Sequence, residues 1–183
     1  IRDTLTVRQR TGRGPLGSVA VSGAEASVPF EDLARVDAAQ LRLVAVAATK
    51  IDDGAVGQPS TLPGWSVGHV LTHIARNADS HRRRAEAAVS GQVVEQYAGG
   101  FEGRAAEIEA GAARSARELI SDVRASADRL MVTWVGLPVG AWVATTLDVA
   151  GTERRLSALP ARRWQELEVH LVDLRLGVSY LDW

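Results

Sequence analysis

The stretch that decides the fold is RRWQELEVHLVDL, Arg162 to Leu174, near the C-terminal end of this 183-residue chain. We interpret it as a helix that places Glu166 and His170 one turn apart on the same face. A carboxylate and an imidazole at this spacing can bind one ion, because their side chains project side by side. Two protein ligands rarely hold a metal alone. A metal site on this helix therefore needs a third ligand from elsewhere in the chain.

The best source of that ligand is the upstream stretch LPGWSVGHVLTHIARNAD, residues 62–79. Ser66 is a good N-cap for a helix there, with Trp65 before it and Val70 four positions into the helix as a hydrophobic staple. At about 100° per residue the apolar side chains form one arc, and His73 falls just outside it. His73 is therefore at the margin of the buried face, where a side chain can reach across a bundle seam.

The spacing of these residues leaves the type of site open. Neutral imidazoles with one carboxylate suit zinc, or another divalent first-row metal, in a three-ligand site with one open position. A Glu-x-x-x-His pair on a helix is by itself more often an exposed ion pair or hydrogen bond. His69 and His73 strengthen the case for a metal, because all four side chains can converge. A closed structural site with four ligands is then a further alternative.

The rest of the chain predicts four principal helices in all, and hence an all-α fold. Apolar residues recur at helical spacing through residues 30–52, and the last helix follows Pro160 and runs to about residue 176. The helical pattern at residues 102–134 is long for one helix, and Gly111 is expected to bend or split it. Residues 142–156 alternate weakly, which predicts a short hairpin or an irregular loop before the last helix.

Composition limits the class of protein. The chain is long enough for one domain with a real core, and its net charge of −1 provides no broad basic field for nucleic acid or an anionic membrane. The absence of cysteine excludes disulfides, thiolate ligands and a cysteine nucleophile. No apolar run reaches the roughly 18 residues of a membrane span, and residues 1–30 lack the apolar core of a secretory signal. We therefore expect a cytoplasmic protein with a small-molecule substrate.

Domain organisation follows from where periodicity begins. Residues 1–29 show neither helical nor strand periodicity and mix Gly, Ser, Thr and Arg. We expect them to be a disordered or non-native lead-in. The folded domain is then expected at residues 30–183.

The two quoted stretches resemble the mycothiol-dependent maleylpyruvate isomerases, which belong to the DinB-like metal-binding helical bundles. The likeness is carried by residues 62–79 and by RWQELEVHLVDLRLGVSYLDW at the end of the chain, and it covers roughly residues 30–183. It implies an antiparallel four-helix bundle whose metal ligands are His73, Glu166 and His170. The family also has a second, smaller C-terminal domain, for which we expect no counterpart in this sequence.

The resemblance implies a reaction as well. It is the cis–trans isomerisation of maleylpyruvate to fumarylpyruvate, with zinc or another divalent metal and the low-molecular-weight thiol mycothiol as cofactors. Our hypothesis is that the metal stabilises the thiolate at neutral pH. The thiolate then adds to the activated double bond, the carbonyl takes the charge as an enolate, and rotation followed by loss of the thiol gives the trans product. An external thiol agrees with the absence of cysteine.

Two other functions remain open. A mycothiol S-transferase of the same superfamily would use the same three ligands to add the thiol to electrophiles. A non-catalytic bundle would bind a ligand or a partner without a reaction. Neither the oligomeric state nor the identity of the metal follows from the sequence.

Further site residues are expected near the three ligands. His69 is expected to face the substrate or to lie behind a ligand, with plain surface exposure as the alternative. Asn77, one turn after His73, is a candidate to orient a ligand, the cofactor or the substrate, with solvation on the helix surface as the alternative. Arg163, beside the metal helix, is a candidate for recognition of a substrate carboxylate, as is Arg162.

Two more groups border this site in sequence. Asp173 is three residues from His170 and can accept a hydrogen bond from that imidazole, which is how carboxylates commonly fix the tautomer of a metal ligand. Arg82, Arg83 and Arg84 are expected to form a solvated face. The alternative is that one of these arginines meets an anionic substrate.

Overall fold

Six α-helices make up most of the computed structural model, which describes residues 26–182. In chain order they are α1 (Phe30–Lys50), α2 (Asp53–Val56), α3 (Val67–Val89), α4 (Gly100–Gly111), α5 (Ala116–Val135) and α6 (Leu159–Asp173). A two-stranded antiparallel sheet of β1 (Thr145–Leu147) and β2 (Glu153–Arg155) precedes α6. The predicted all-α class, with a short hairpin before the last helix, is confirmed.

The four long helices α1, α3, α5 and α6 form an antiparallel four-helix bundle, as predicted. Helices α1 and α3 each pack against both α5 and α6. α1 and α3 therefore lie at opposite corners of the bundle. Each long helix repeats apolar residues every three or four positions, and the resulting apolar faces meet in one core. Each of these four long helices contributes a leucine that is at most 1% exposed: Leu43, Leu71, Leu119 and Leu171. This arrangement brings α3 alongside α6.

The long helical pattern at residues 102–134 is divided at Gly111, as predicted. α4 ends at Gly111, and α5 begins after its N-cap Ser115. The Ser115 hydroxyl accepts a hydrogen bond from the Glu118 amide, and the Glu118 carboxylate accepts one from the Ser115 amide. This capping box satisfies amides that a new helix start leaves unpaired. The division allows α4 to pack against α3 instead of extending α5.

The start of α3 is fixed by the predicted N-cap and by a close helix contact. The Ser66 hydroxyl accepts a hydrogen bond from the His69 amide, and the His69 ring accepts one from the Ser66 amide. At Gly68, α3 meets the end of α4 so closely that an added Cβ would lie 2.0 Å from the carbonyl oxygen of Ala112. Glycine is therefore required at this crossing.

The expectation for residues 1–29 falls mostly on residues that the structure does not describe. Residues 1–25 lie outside the described part, and Val28 packs against the core just before α1. The folded part therefore includes at least two residues more than expected at this end. None of the helices α1–α6 combines the length and the apolar character that a membrane crossing requires.

Candidate metal centre

α6 carries two of the three predicted ligands. Pro160 lies in its first turn, where the missing amide hydrogen costs no helical hydrogen bond. Leu167 and Leu171 bury one face of the helix in the core. Glu166 and His170 project from an adjacent face, and Nε2 of His170 lies 3.2 Å from Oε2 of Glu166.

α3 supplies the third ligand, His73, which is 3% exposed. Its Nε2 atom lies 3.1 Å from the same carboxylate oxygen of Glu166. The rings of His73 and His170 are 4.8 Å apart between centroids and nearly perpendicular, at 87°. One ligand atom from each residue lies within 4.8 Å of the others. The structure thus brings the three predicted ligands to one point.

Burial and hydrogen bonding set the charges of this cluster. Burial opposes ionisation of Glu166, but hydrogen bonds with His170 and His73 outweigh it and hold the pKa of the carboxyl well below its usual value. Burial lowers the pKa of His73 to about 4. Burial also acts to lower the pKa of His170, yet hydrogen bonds with Glu166 and Asp173 raise it overall. At neutral pH Glu166 is therefore ionised and His73 neutral, the forms that bind metals.

A carboxylate behind His170 fixes the orientation of its ring. Nδ1 of His170 lies 2.8 Å from Oδ2 of Asp173, the contact that the sequence indicated. The Thr61 hydroxyl donates to the other carboxylate oxygen, and the Thr61 amide donates to the Asp173 carbonyl at 3.0 Å. Because Asp173 binds Nδ1, Nε2 is left as the metal-binding nitrogen of His170.

This donor set fits a divalent metal. Two imidazole nitrogens and one carboxylate oxygen, with a fourth position open, are the ligands of a catalytic type of zinc site. Other divalent first-row metals accept the same donors. Within residues 26–182 the cluster consists of His73, Glu166 and His170, and His69 does not belong to it. The geometry therefore favours the three-ligand site over the closed four-ligand alternative.

The cluster lines a cavity of about 400 Å³ that carries an excess of positive charge. Four arginines from four different elements line it: Arg84, Arg104, Arg154 and Arg162. Two carboxylates face them, and these already have other partners, because Asp148 pairs with Arg154 at 3.1 Å and Glu166 belongs to the metal centre. A cavity with this charge favours an anionic ligand.

Arg84 was expected to lie on a solvated face with Arg82 and Arg83, but it is buried in the wall of this cavity. It is 2% exposed, whereas Arg82 pairs with Glu86 on the surface at 2.7 Å. The sequence did contain a signal, because His73, Asn77 and Arg84 fall on one helical face. Arg104 and Arg154 gave no such signal, since α4 and the hairpin lack a clear amphipathic pattern.

His69 lies outside this cavity, contrary to the expectation of a substrate-facing or ligand-supporting role there. Its Nδ1 atom contacts the amide and the hydroxyl of Ser66, and its Nε2 atom lies 3.1 Å from Oε2 of Glu109. The Trp65 ring contacts both histidines, with centroids 6.3 Å from His69 and 5.6 Å from His73. His69 therefore caps α3 and lines a separate surface cleft with Glu109.

Arg163 also differs from its expected role of contacting a substrate carboxylate. It is fully buried, and its Nη1 atom donates to the carbonyl oxygen of Ile74 and to Oδ1 of Asn77, both at 2.9 Å. Both acceptors belong to α3, so the guanidinium of Arg163 lies in the seam between α6 and α3. Its neighbour Arg162 lines the cavity instead. Asn77 lines the cavity too, and its contact with a cofactor stays a prediction.

The fold and the cluster define a class: four-helix bundles with a candidate metal site of two histidines and one glutamate at the seam between two helices. The particular family follows from the sequence. The family model described as the mycothiol maleylpyruvate isomerase N-terminal domain matches residues 33–175. The chain belongs to this family. The sequence has no significant match among curated proteins.

Solved structures agree with this assignment. A crystal structure of the mycothiol-dependent maleylpyruvate isomerase superposes with a TM-score of 0.80 and 25% identity, over 84% of this chain and 63% of that one. A histidine-to-alanine mutant of the mycothiol-dependent maleylpyruvate isomerase superposes with a TM-score of 0.76 and 25% identity. That match covers 82% of this chain and 61% of the mutant chain. This chain thus spans less than two thirds of those proteins.

A third solved structure shares the fold alone. YfiT from Bacillus subtilis, described as a probable metal-dependent hydrolase with an unusual four-helix bundle topology, matches with a TM-score of 0.64. It is 14% identical, and the match covers 91% of this chain and 95% of that one. The bundle therefore recurs at low sequence identity.

Proposed function

We propose that this chain acts in the mycothiol-dependent isomerisation of maleylpyruvate, the reaction for which its family is named. One observation carries the proposal: His73, Glu166 and His170 converge in the wall of a cationic cavity. Support comes from the family match over residues 33–175 and from the isomerase structures at 25% identity.

The three ligands would hold zinc or another divalent metal, which when bound would favour the thiolate form of an incoming thiol at neutral pH. Asp173 would keep the His170 ring in the orientation that offers Nε2. The chain contains no cysteine, so the thiol has to come from outside. This requirement agrees with a reaction that depends on mycothiol.

The arginines of the cavity would bind and orient the substrate, which carries carboxylates. Arg104 is held at the cavity by the rings of Trp65 and Tyr97, with its guanidinium carbon 5.4 Å and 5.8 Å from their centroids. When the sulfur–carbon bond forms, the double-bond electrons move to the carbonyl oxygen. A guanidinium would stabilise that negative charge. After rotation the electrons return, the double bond re-forms and the thiolate leaves unchanged.

The test is conversion of maleylpyruvate to fumarylpyruvate by the zinc-loaded chain, followed with and without mycothiol. The proposal expects turnover only when both the metal and the thiol are present, and loss of turnover in a Glu166→Gln variant. A folded, zinc-loaded chain that does not convert maleylpyruvate would reject the proposal. Conjugation of mycothiol to a generic electrophile by that chain would instead indicate the S-transferase.

A further inference from the structure

A row of polar side chains runs along α3 beyond the metal centre. It consists of His73, Asn77, His81 and Arg84, spaced by four, four and three residues, so that all four project from one face of the helix. Each is at most 3% exposed, and all four line the cavity. The metal requires only the first of them. Burial of the remaining polar groups therefore needs a separate explanation.

The guanidinium of Arg84 is buried without a counter-charge. Its Nε atom donates to the carbonyl oxygen of Ser80 at 3.4 Å, and Nη1 donates to that of Leu147 at 3.1 Å. Its Nη2 atom donates to Nδ1 of His81 at 2.9 Å. All three acceptors are neutral, and no carboxylate in residues 26–182 forms an ion pair with Arg84; Asp148 pairs with Arg154 instead. Among the described residues, two of the five N–H donors of Arg84 therefore remain for another acceptor.

Arg84 stays cationic despite this burial. Burial lowers its pKa to about 10, while interactions with Tyr97 and Asp148 act in the opposite direction. A buried cation that lacks a partner is strongly destabilising. A bound anion would supply the missing counter-charge, and the two free N–H groups suit a carboxylate, which accepts two parallel hydrogen bonds from arginine.

His81 holds this guanidinium in place. Arginine can only donate, so Nδ1 of His81 accepts and the proton of the neutral ring is on Nε2. The ring packs edge-on against Trp134, at 5.7 Å between centroids. Trp134 is fully buried, so the imidazole has little freedom to turn. His81 is therefore a positioning residue for Arg84.

We propose that Arg84, positioned by His81, binds one carboxylate of the substrate at the end of the cavity beyond the metal centre. The site then selects dicarboxylates over monocarboxylates of the same shape. The inference rests on the proposed function in one respect, that the substrate enters this cavity. It adds the residue that determines specificity, eleven positions beyond His73 on the same helix.

The test uses two probes, maleate and the cis monocarboxylate isocrotonate, whose binding to the zinc-loaded chain is measured by titration calorimetry. Wild type is expected to bind maleate at least tenfold more tightly than isocrotonate. Arg84→Gln is expected to lose tenfold or more in affinity for maleate, with the affinities for isocrotonate and zinc unchanged. Arg83→Gln is the matched control, because Arg83 carries the same charge one position earlier but donates to the carbonyl oxygen of Gln96.

A second variant covers the case in which Arg84→Gln does not fold. Arg84→Lys keeps the positive charge but cannot offer two parallel donors, and it is expected to bind maleate less tightly than wild type. Equal losses in the Arg83 and Arg84 variants would overturn the proposal, since the effect would then come from overall charge. Equal binding of maleate and isocrotonate by wild type would overturn it too.

The outcome is separable from that of the proposed function. A chain that binds maleate through Arg84 but does not convert maleylpyruvate keeps this inference and rejects the isomerase proposal. If the Arg84→Gln variant converts maleylpyruvate with the wild-type KM, the isomerase proposal is kept and the role of Arg84 is rejected. His81→Phe, tested in the same way, is expected to raise KM for maleylpyruvate while leaving zinc content unchanged.

Discussion

At the residue scale, the surroundings of each imidazole in the candidate metal centre set the orientation or the protonation state of its ring. His170 is held through Nδ1 by Asp173, which is itself fixed by Thr61. His73 is kept neutral by burial, which lowers its pKa to about 4. Burial thus keeps His73 in the neutral form that binds a metal, whereas the contact with Asp173 acts on His170 by orienting its ring so that Nε2 is offered.

Asp173→Asn is expected to weaken zinc binding by roughly 10–100-fold, because the amide cannot hold the His170 ring as a carboxylate does. Competition with a chelating dye measures the affinity. Asp148→Asn is the matched control, since Asp148 lines the same cavity but pairs with Arg154. Equal losses in the two variants would show that only the charge of the cavity matters and would contradict the role of Asp173.

Because His81 is buried in its neutral form, we expect the folded protein to lose stability in acid. Burial, followed by the charges of Arg84 and Arg163, holds its pKa well below the ordinary value of 6.5, although Glu166 acts the other way. The unfolded chain therefore binds a proton that the folded chain excludes. The contribution of His81 is complete above pH 6.5, and below it the free energy of unfolding falls by about 1.4 kcal/mol per pH unit.

Urea unfolding of the metal-free chain at pH 7.5 and pH 5 tests this dependence. In wild type His81 should account for part of the fall. His81→Gln should show a smaller fall, while His73, whose pKa is also lowered, continues to contribute. The same fall in the variant as in wild type would contradict the account.

The residues that could be predicted from sequence are those whose partners lie on the same helix. Glu166, His170 and Asp173 fall within two turns of α6, so helical spacing alone predicted their contacts. His69 and Arg163 differ from expectation because their orientation depends on other elements. Glu109 of α4 contacts the ring of His69, and groups of α3 accept hydrogen bonds from Arg163.

At the scale of elements, α3 combines an apolar face with a row of buried polar groups. The apolar periodicity was sufficient to predict the helix and its N-cap. The polar row was not predicted, because the walls that bury it come from α4, α6 and the hairpin, which are distant in sequence. The contact of α3 with α4 depends in turn on one glycine.

Gly68→Ala should destabilise the protein, although alanine favours a helix by about 1 kcal/mol over glycine. The added Cβ would lie 2.0 Å from the carbonyl oxygen of Ala112 and 2.9 Å from a methyl group of Val56. Backbone cannot yield as a flexible side chain does, so we expect a net loss of about 1–3 kcal/mol in urea unfolding.

Gly57→Ala is the matched control for this prediction. Nothing lies within 4 Å of a Cβ at Gly57, and its φ of −79° is accessible to alanine. Its effect should stay within about 0.5 kcal/mol. A Gly68→Ala protein at least as stable as wild type would show that α3 and α4 can separate at little cost.

At the scale of the whole molecule, a metal at the candidate centre would link two helices of the bundle, because the candidate ligands His73 and Glu166 are 93 residues apart in sequence. Binding to the folded state alone stabilises that state by mass action. Free zinc at 100 times its dissociation constant should add about 2.7 kcal/mol. For a chain of this size that corresponds to a rise in Tm of roughly 5–10 °C.

Thermal unfolding with and without zinc measures this effect, and His73→Ala should show no rise. A wild-type Tm that does not depend on zinc would contradict a metal that joins α3 and α6. The bundle itself could be predicted from four amphipathic patterns. The cavity could not, because its arginines come together only when four separate elements pack.

The metal content of the purified chain tests the central claim most directly, measured beside His73→Ala and the control His69→Ala. The account predicts about one zinc or equivalent divalent ion per chain in wild type and in the control, and loss of that ion in His73→Ala. A folded wild type without metal, or a His73→Ala variant that retains it, would contradict the three-ligand site.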